Sequence, residues 1–180
     1  PLLISGGGVF YSDAMEDLSN FAIKHNIPVT QTVMGYSTMK RDHSHFLGPI
    51  GGLGGKAANN LAKQTDLAIA VGTKLADFTT GSWANFENPD FSLVSVNVSR
   101  FDASKHLAQS VIGDAKVSLQ ELSNALGDWK APDEWHKKSR DELKNWNDYV
   151  DKESGPTNQE LPSYAHAVGA IYRNSDPTDI

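Results

Sequence analysis

Three short stretches of this 180-residue sequence carry groups that could do chemistry. Gly6-Gly7-Gly8 follows an apolar run, Leu2-Leu3-Ile4, and glycines there would let backbone N–H groups approach an anion at the start of a helix. The dinucleotide spacing fails at Tyr11, where glycine or alanine is wanted, and Gln31 and Thr32 stand where an acid would hold a ribose. A tight strand-to-helix turn is the favoured reading of these glycines. His43-x-His45 has ligand-type side chains, yet two histidines without a third ligand seldom hold a metal. Asp42-His43-Ser44-His45 therefore reads as a polar turn, and no metal site is expected. The 77–83 loop sets the hydroxyls of Thr79, Thr80 and Ser82 beside Phe78 and Trp83, groups that could hydrogen-bond to a ligand and stack on it or shut out water. The same aromatics could instead tuck the loop onto the domain. No Ser/His/Asp or Cys/His arrangement with a recognisable elbow is present. Catalysis by this chain alone is not expected.

The elements that must position these groups alternate in type. Apolar runs at 1–5, 27–31, 66–71, 93–98 and 110–112 read as strands, with a short one around Phe46-Leu47. The run Asp66-Leu67-Ala68-Ile69-Ala70-Val71 has no polar alternation, as expected of a parallel strand buried on both faces. Helical spacing links Ala14, Leu18, Phe21 and Ala22, then Ala57, Ala58, Leu61 and Ala62, then Ala115, Leu119, Leu122 and Leu126. Asp13 and Glu16 predict a capping box for the first of these helices, Asn26 its end, and Asp114 an N-cap for the third. A charged helix over 131–153 carries Trp135, Trp146, Tyr149 and Val150 on one stripe, read as a packing face. Strands alternating with helices predict an α/β fold: a Rossmann-like doubly wound parallel sheet of five to six strands, helices on both faces, and a C-terminal linker helix. Ligands of such sheets sit at the carboxyl ends of strands where the strand order reverses. That rule brings Gly6, Gly7 and Gly8 opposite Gly72 and Thr73 across a crevice.

Composition narrows the partners. The chain has a hydrophobic fraction of 39%, no cysteine and a net charge of −6. The absence of cysteine excludes disulfides and thiolate metal sites and fits a cytoplasmic protein. The acidic balance, with scattered Lys and Arg, argues against nucleic acid as a partner. No apolar run is long enough to span a membrane. Small molecules and protein surfaces remain. Pro1 leads straight into a strand and Thr178-Asp179-Ile180 stops on an apolar residue, so both ends read as cuts through a longer chain.

Several motifs occur in an order that resembles one family. Gly6-Gly7-Gly8, Ile27-Pro28-Val29-Thr30, Met34-Gly35, Leu47-Gly48-x-x-Gly51, Ala57-x-Asn59, Asp66-Leu67 with Val71-Gly72, and Gly113-Asp114-Ala115 are similar to the central domain of thiamine-diphosphate enzymes of the acetolactate-synthase and pyruvate-oxidase group. The likeness runs from Pro1 to about Leu126. Gly72-Thr-Lys-Leu-Ala-Asp-Phe-Thr-Thr-Gly-Ser-Trp83 and Asn97-Val-Ser-Arg-Phe-Asp-Ala-Ser-Lys-His106 resemble most the branch that hydrolyses a carbon–carbon bond in a cyclic dione of myo-inositol breakdown. An acetolactate-synthase-like carboligase is the second reading, and a free-standing nucleotide-binding module the third.

The resemblance implies thiamine diphosphate and Mg²⁺ in the full-length enzyme, bound by flanking domains and not by this fragment, which would be inactive alone. It also implies a homo-oligomer and a small-molecule substrate. Its domain plan is a central domain over 1–130, a linker helix over 131–160, and the start of the diphosphate-binding domain over 161–180. Members with a nucleotide in the central domain hold it at positions matching Gly6, Gly7, Gly8, Gly72, Thr73, Lys74, Asn97 and Asp114, so a vestigial nucleotide site is expected there. Lys74 stands where flavin binders show Arg, and Asn97 and Ser99 where they show acids, so flavin is not expected. Lysine lacks arginine's bidentate fork. The matching loop of related enzymes turns toward the cofactor. On that likeness Asp77, Phe78, Thr79, Thr80, Ser82 and Trp83 are the expected substrate entrance.

Overall fold

The computed structural model describes residues 1–176; the apolar stop at Thr178-Asp179-Ile180, and with it the end of the expected third domain, lies outside the described residues. The chain divides into two compact units, Pro1–Leu143 and Lys144–Ile180.

The first unit follows the alternation read from the sequence. Its elements are β1 (Leu2–Ser5), α1 (Gly7–Tyr11), α2 (Met15–His25), β2 (Val29–Gln31), β3 (Phe46–Pro49), α3 (Lys56–Ala62), β4 (Leu67–Val71), α4 (Asp77–Thr80), β5 (Ser92–Asn97), α5 (Arg100–Ala103), β6 (Gln109–Ile112), α6 (Ala115–Leu126) and the first part of α7 (Asp133–Glu153). The six strands form one all-parallel sheet in the order β3-β2-β1-β4-β5-β6. The order reverses between β1 and β4, the switch point expected to carry the crevice.

Period-two burial explains the layers. Leu3, Val29, Ile69, Val71 and Val96 join Leu18 and Phe21 of α2 and Leu119 of α6 in one core cluster. The alternate positions Leu2, Ile4, Ala68 and Ala70 are fully buried too. Helices therefore cover both faces, and the doubly wound reading holds. Ala57, Ala58, Leu61 and Ala62 of α3 are buried as their spacing predicts. Asn26 ends α2 in the left-handed conformation, and the Asp114 carboxylate caps α6 by accepting from the N–H groups of Lys116 and Val117.

The Asp13/Glu16 capping box does not form. Ala14 is the N-cap of α2, and Asp13 takes a left-handed backbone with φ 51°. Short helix α1 occupies the turn after β1, and the Ala14 N–H donates back to Val9 O, so the chain reverses at Asp13 instead of entering the helix there. Nor is the aromatic stripe of α7 a core face. Trp135 is half-buried and donates its Nε1–H to Pro1 O at 2.7 Å, whereas Tyr149 is 47% exposed.

The second unit holds the remainder of α7 and α8 (Tyr164–Asn174). Trp146 stacks on Tyr149 with ring centroids 5.6 Å apart, and Arg173 donates to Ser154 O. Ser163 opens α8 with a capping box shared with His166.

The switch point depends on a close backbone crossing. Gly72 has φ +63°, and a Cβ added there would lie 2.6 Å from Gly8 Cα; one added at Gly8 would lie equally close to Gly72 Cα. Gly48 has φ +88° and open space around its missing Cβ. Alanine at either position adopts a left-handed backbone at a cost of about 1–2 kcal/mol. Gly72→Ala adds a backbone clash and is expected to lower stability well beyond Gly48→Ala, measured as urea-unfolding midpoints; equal losses would mean that the crossing tolerates a side chain.

Candidate functional site

The crossing leaves a crevice of about 440 Å³ at the carboxyl ends of β1, β2 and β4, within the size range of small-molecule sites. Its wall combines Gly7, Gly8 and Tyr11 after β1, Thr32, Val33 and Met34 after β2, and Gly72, Thr73, Lys74, Ala76, Phe78 and Thr79 after β4, with Asn97 from β5. Most of the expected nucleotide-site residues thus come together: Gly7, Gly8, Gly72, Thr73, Lys74 and Asn97.

Gly6 and Asp114 stand apart from the wall. A Cβ on Gly6 would meet Gly72 O and Thr73 Cβ, so its small size serves packing. Asp114 is held below the usual carboxylate range, first by the Ser12 hydroxyl and then by the Val117 N–H. Its oxygens act as a helix cap.

The polar groups of the crevice are largely committed to the protein itself. The Gly6 N–H donates to Val71 O and the Gly8 N–H to Gly72 O, each at 2.9 Å, so these amides hold the crossing together and do not face an anion. Thr73 Oγ1 accepts from the Leu75 N–H, and Thr32 Oγ1 accepts from the Gly35 N–H. Asn97 donates Nδ2–H to Thr73 O and accepts from the Ser99 N–H. Lys74 supplies the only cationic side chain of the wall, which contains no carboxylate, imidazole or thiol. Lys74 and Tyr11 are the titratable side chains of the wall. The rest of the lining is glycine, hydroxyl, amide and apolar groups, suited to an apolar or flat ligand.

The 77–83 loop divides. Phe78, 60% exposed, and Thr79 face the crevice. Thr80 is fully buried, with its hydroxyl donating to Asp77 O and accepting from the Trp83 N–H. Asp77 accepts from the Ser82 hydroxyl. Trp83 turns toward the β5–β6 side, where its ring lies 4.3 Å from that of His106 and 5.3 Å from that of Phe86. Asn59 ties the loop to the turn after β3, exchanging hydrogen bonds with the Gly51 backbone and accepting from Asn85 Nδ2. Tyr11, Val33 and Met34 were not singled out as site residues, although each follows a strand whose carboxyl end borders the switch point. The strand order alone points to them.

Among the described residues, no group of three or more His, Asp or Glu side chains could hold a metal ion. His43 and His45 do meet His136, but their ring nitrogens already have protein partners. No helix among them is long and apolar enough to cross a membrane.

An all-parallel sheet in this order, with a glycine crossing and a crevice at the switch point, defines a Rossmann-like α/β domain. Residues 1–122 match the family described as thiamine pyrophosphate enzyme, central domain, and the chain belongs to that family. Its curated relatives include proteins named 3D-(3,5/4)-trihydroxycyclohexane-1,2-dione hydrolase. The one from Clostridium perfringens (strain 13 / Type A) is 49% identical over 126 residues, covering 70% of this chain and 20% of the relative. That of Geobacillus thermodenitrificans is 38% identical over 181 residues, covering 94% of this chain and 28% of the relative. That of Clostridium tetani is 44% identical over 148 residues, covering 76% and 23%. The chain thus matches between 20% and 28% of the length of these relatives. The family name implies thiamine diphosphate, usually with a divalent metal. Among the described residues no ligand cluster fits a divalent metal, and the Asp114 carboxylate is a helix cap.

The internal bonds of Thr80 give the loop a simple test. Thr80→Val keeps the volume but leaves the Trp83 N–H and Asp77 O without that partner, a loss of about 1–3 kcal/mol for buried groups. The urea-unfolding midpoint is expected to fall accordingly. An unchanged midpoint would show that this hydroxyl does not hold the loop.

Proposed function

We propose that this chain is the non-catalytic central domain of a thiamine-diphosphate-dependent trihydroxycyclohexanedione hydrolase, an enzyme that opens the ring of a polyhydroxylated 1,2-dione by hydrolysing a carbon–carbon bond in myo-inositol breakdown. The observation that supports the reading is the match of residues 1–122 to the central-domain family, together with a switch-point crevice whose only titratable side chains are Tyr11 and Lys74. The names of the relatives supply the reaction. Catalytic groups, thiamine diphosphate and magnesium belong to the flanking parts of the parent, and the domain's task is to space those parts and support oligomer contacts. The domain plan that goes with this runs over 1–130, 131–160 and 161–180.

Within that role the crevice is a vestigial nucleotide site, and the outward-facing portion of the 77–83 loop borders the substrate entrance. That Phe78 and Thr79 line the crevice supports this reading.

Two measurements test the reading. The 180-residue chain is expected to show no turnover of the cyclic dione and no saturable heat with thiamine diphosphate and Mg²⁺; micromolar binding would overturn the assignment. In the complete parent enzyme, Thr79→Val is expected to lower kcat/KM roughly tenfold through loss of a substrate hydrogen bond, with stability unchanged. Unaltered kinetics would remove the loop from the entrance.

A further inference from the structure

On the edge of the sheet opposite the crevice, three histidines from two distant stretches of chain meet. His43 and His45 precede β3, and His136 lies in the first turn of α7. The rings of His45 and His136 are 4.2 Å apart at 31°, and those of His43 and His45 are 5.8 Å apart. His45 is buried.

Each ring's proton is placed by its partners. His136 Nε2 lies 3.2 Å from Ser44 O, which can only accept, so Nε2 carries a proton. His43 Nδ1 accepts from the His45 backbone N–H at 3.1 Å, which leaves the proton on Nε2, toward Ser19 Oγ. Asn26 donates Nδ2–H to Ala131 O and to Asp133 Oδ1, and this orients its Oδ1 toward His45 Nε2. His45 Nε2 therefore donates, and its Nδ1 accepts from the Ser44 hydroxyl. Arg140, one turn along α7 from His136, donates to Phe46 O. The His45 N–H contact closes only with His43 neutral, whereas the Ser44 hydroxyl can donate to His45 Nδ1 or accept from it, so a charge on His45 is opposed by its surroundings and not by a lost partner.

We propose that this histidine cluster is an acid-sensitive latch that fastens the first half of α7 to the amino edge of the sheet when neutral and releases it when protonated.

Geometry supplies the mechanism. A proton on His43 Nδ1 opposes the His45 N–H that it now accepts. A charge on His45 stands against the His136 ring, with Arg140 adding positive charge from the same helix. On the near side Asp42 favours a charged His43, but Asp133 reaches the cluster only through Asn26. His25 is buried close by, yet its ring faces Trp129 O and Ser123 Oγ and takes no part. Burial first, then His136, His43 and Arg140, push His45 down from 6.5 to about 4, and burial likewise lowers His43. The folded value lies below the released one. The latch is therefore at full strength above pH 6.5 and weakens as pH falls toward 4. At pH 5 those two values for His45 give about a 30-fold weakening of the closed state.

Amide hydrogen exchange of the 180-residue chain, corrected for intrinsic rates, reads the latch directly. From pH 7.5 to pH 5, protection over 133–143 is expected to fall about 30-fold while β4 amides keep theirs. In the double variant His43→Gln/His45→Gln, which preserves donor and acceptor but cannot titrate in this range, the α7 segment should stay protected at pH 5. Should that variant fail to fold, His136→Gln keeps a donor toward Ser44 O and should give a smaller drop than the parent chain. The proposal is overturned if α7 protection is unchanged at pH 5, if α7 and β4 lose protection together, or if a folded variant responds as the parent does.

Discussion

At the centre of the first unit two backbone turns, one after β1 and one after β4, run in direct contact. The Gly8 N–H reaches Gly72 O, the Gly6 N–H reaches Val71 O, and the missing Cβ atoms of Gly6, Gly8 and Gly72 are what allow the approach. A buried backbone N–H without a partner is costly, and here the turns satisfy one another. Much else follows from that constraint. The turns fix how far β1 and β4 can extend before the chain leaves the sheet. They also set the floor of the crevice and commit the Gly6, Gly8 and Gly72 amides to the protein itself.

The same economy of partners runs through the surrounding loops. Gly35 packs so closely on the end of β1 that a side chain there would strike Ser5 O. Asn59 joins the turn after β3 to the loop after β4, with Asn85 as a third member. Polar residues that might have served a ligand instead hold neighbouring loops in place. Much of the hydrogen-bonding capacity around the crevice is thus committed within the protein.

The opposite edge of the sheet is organised differently. There the first half of α7 is held by side chains: Trp135 to Pro1 O, His136 to Ser44 O, and Arg140 to Phe46 O. Such bonds depend on rotamer, and the histidine's also on protonation, whereas the glycine crossing depends on neither. The domain is thus fixed by backbone contact at the centre of its sheet and by side-chain hydrogen bonds where α7 meets the amino edge.

The sequence by itself determined the strands, most of the helices, the cap at Asp114 and the end of α2 at Asn26, because these rest on local periodicity and short-range capping. It also placed the crevice, since the strand alternation and the two glycine turns leave one switch point. Only the tertiary structure decided the use of individual polar groups. Thr79 and Thr80 are adjacent in α4 and of one residue type, yet one lines the crevice and the other is sealed inside its loop. The Asp13/Glu16 pair has capping spacing, but α1 and the reversal at Asp13 remove the helix start it would cap. His136 meets His45 because α7 crosses the amino edge of the sheet, a contact that no local pattern encodes. Periodicity reports which face of an element is apolar; the partner a polar atom finds is set by chain segments distant in sequence, and only the packed fold brings those together.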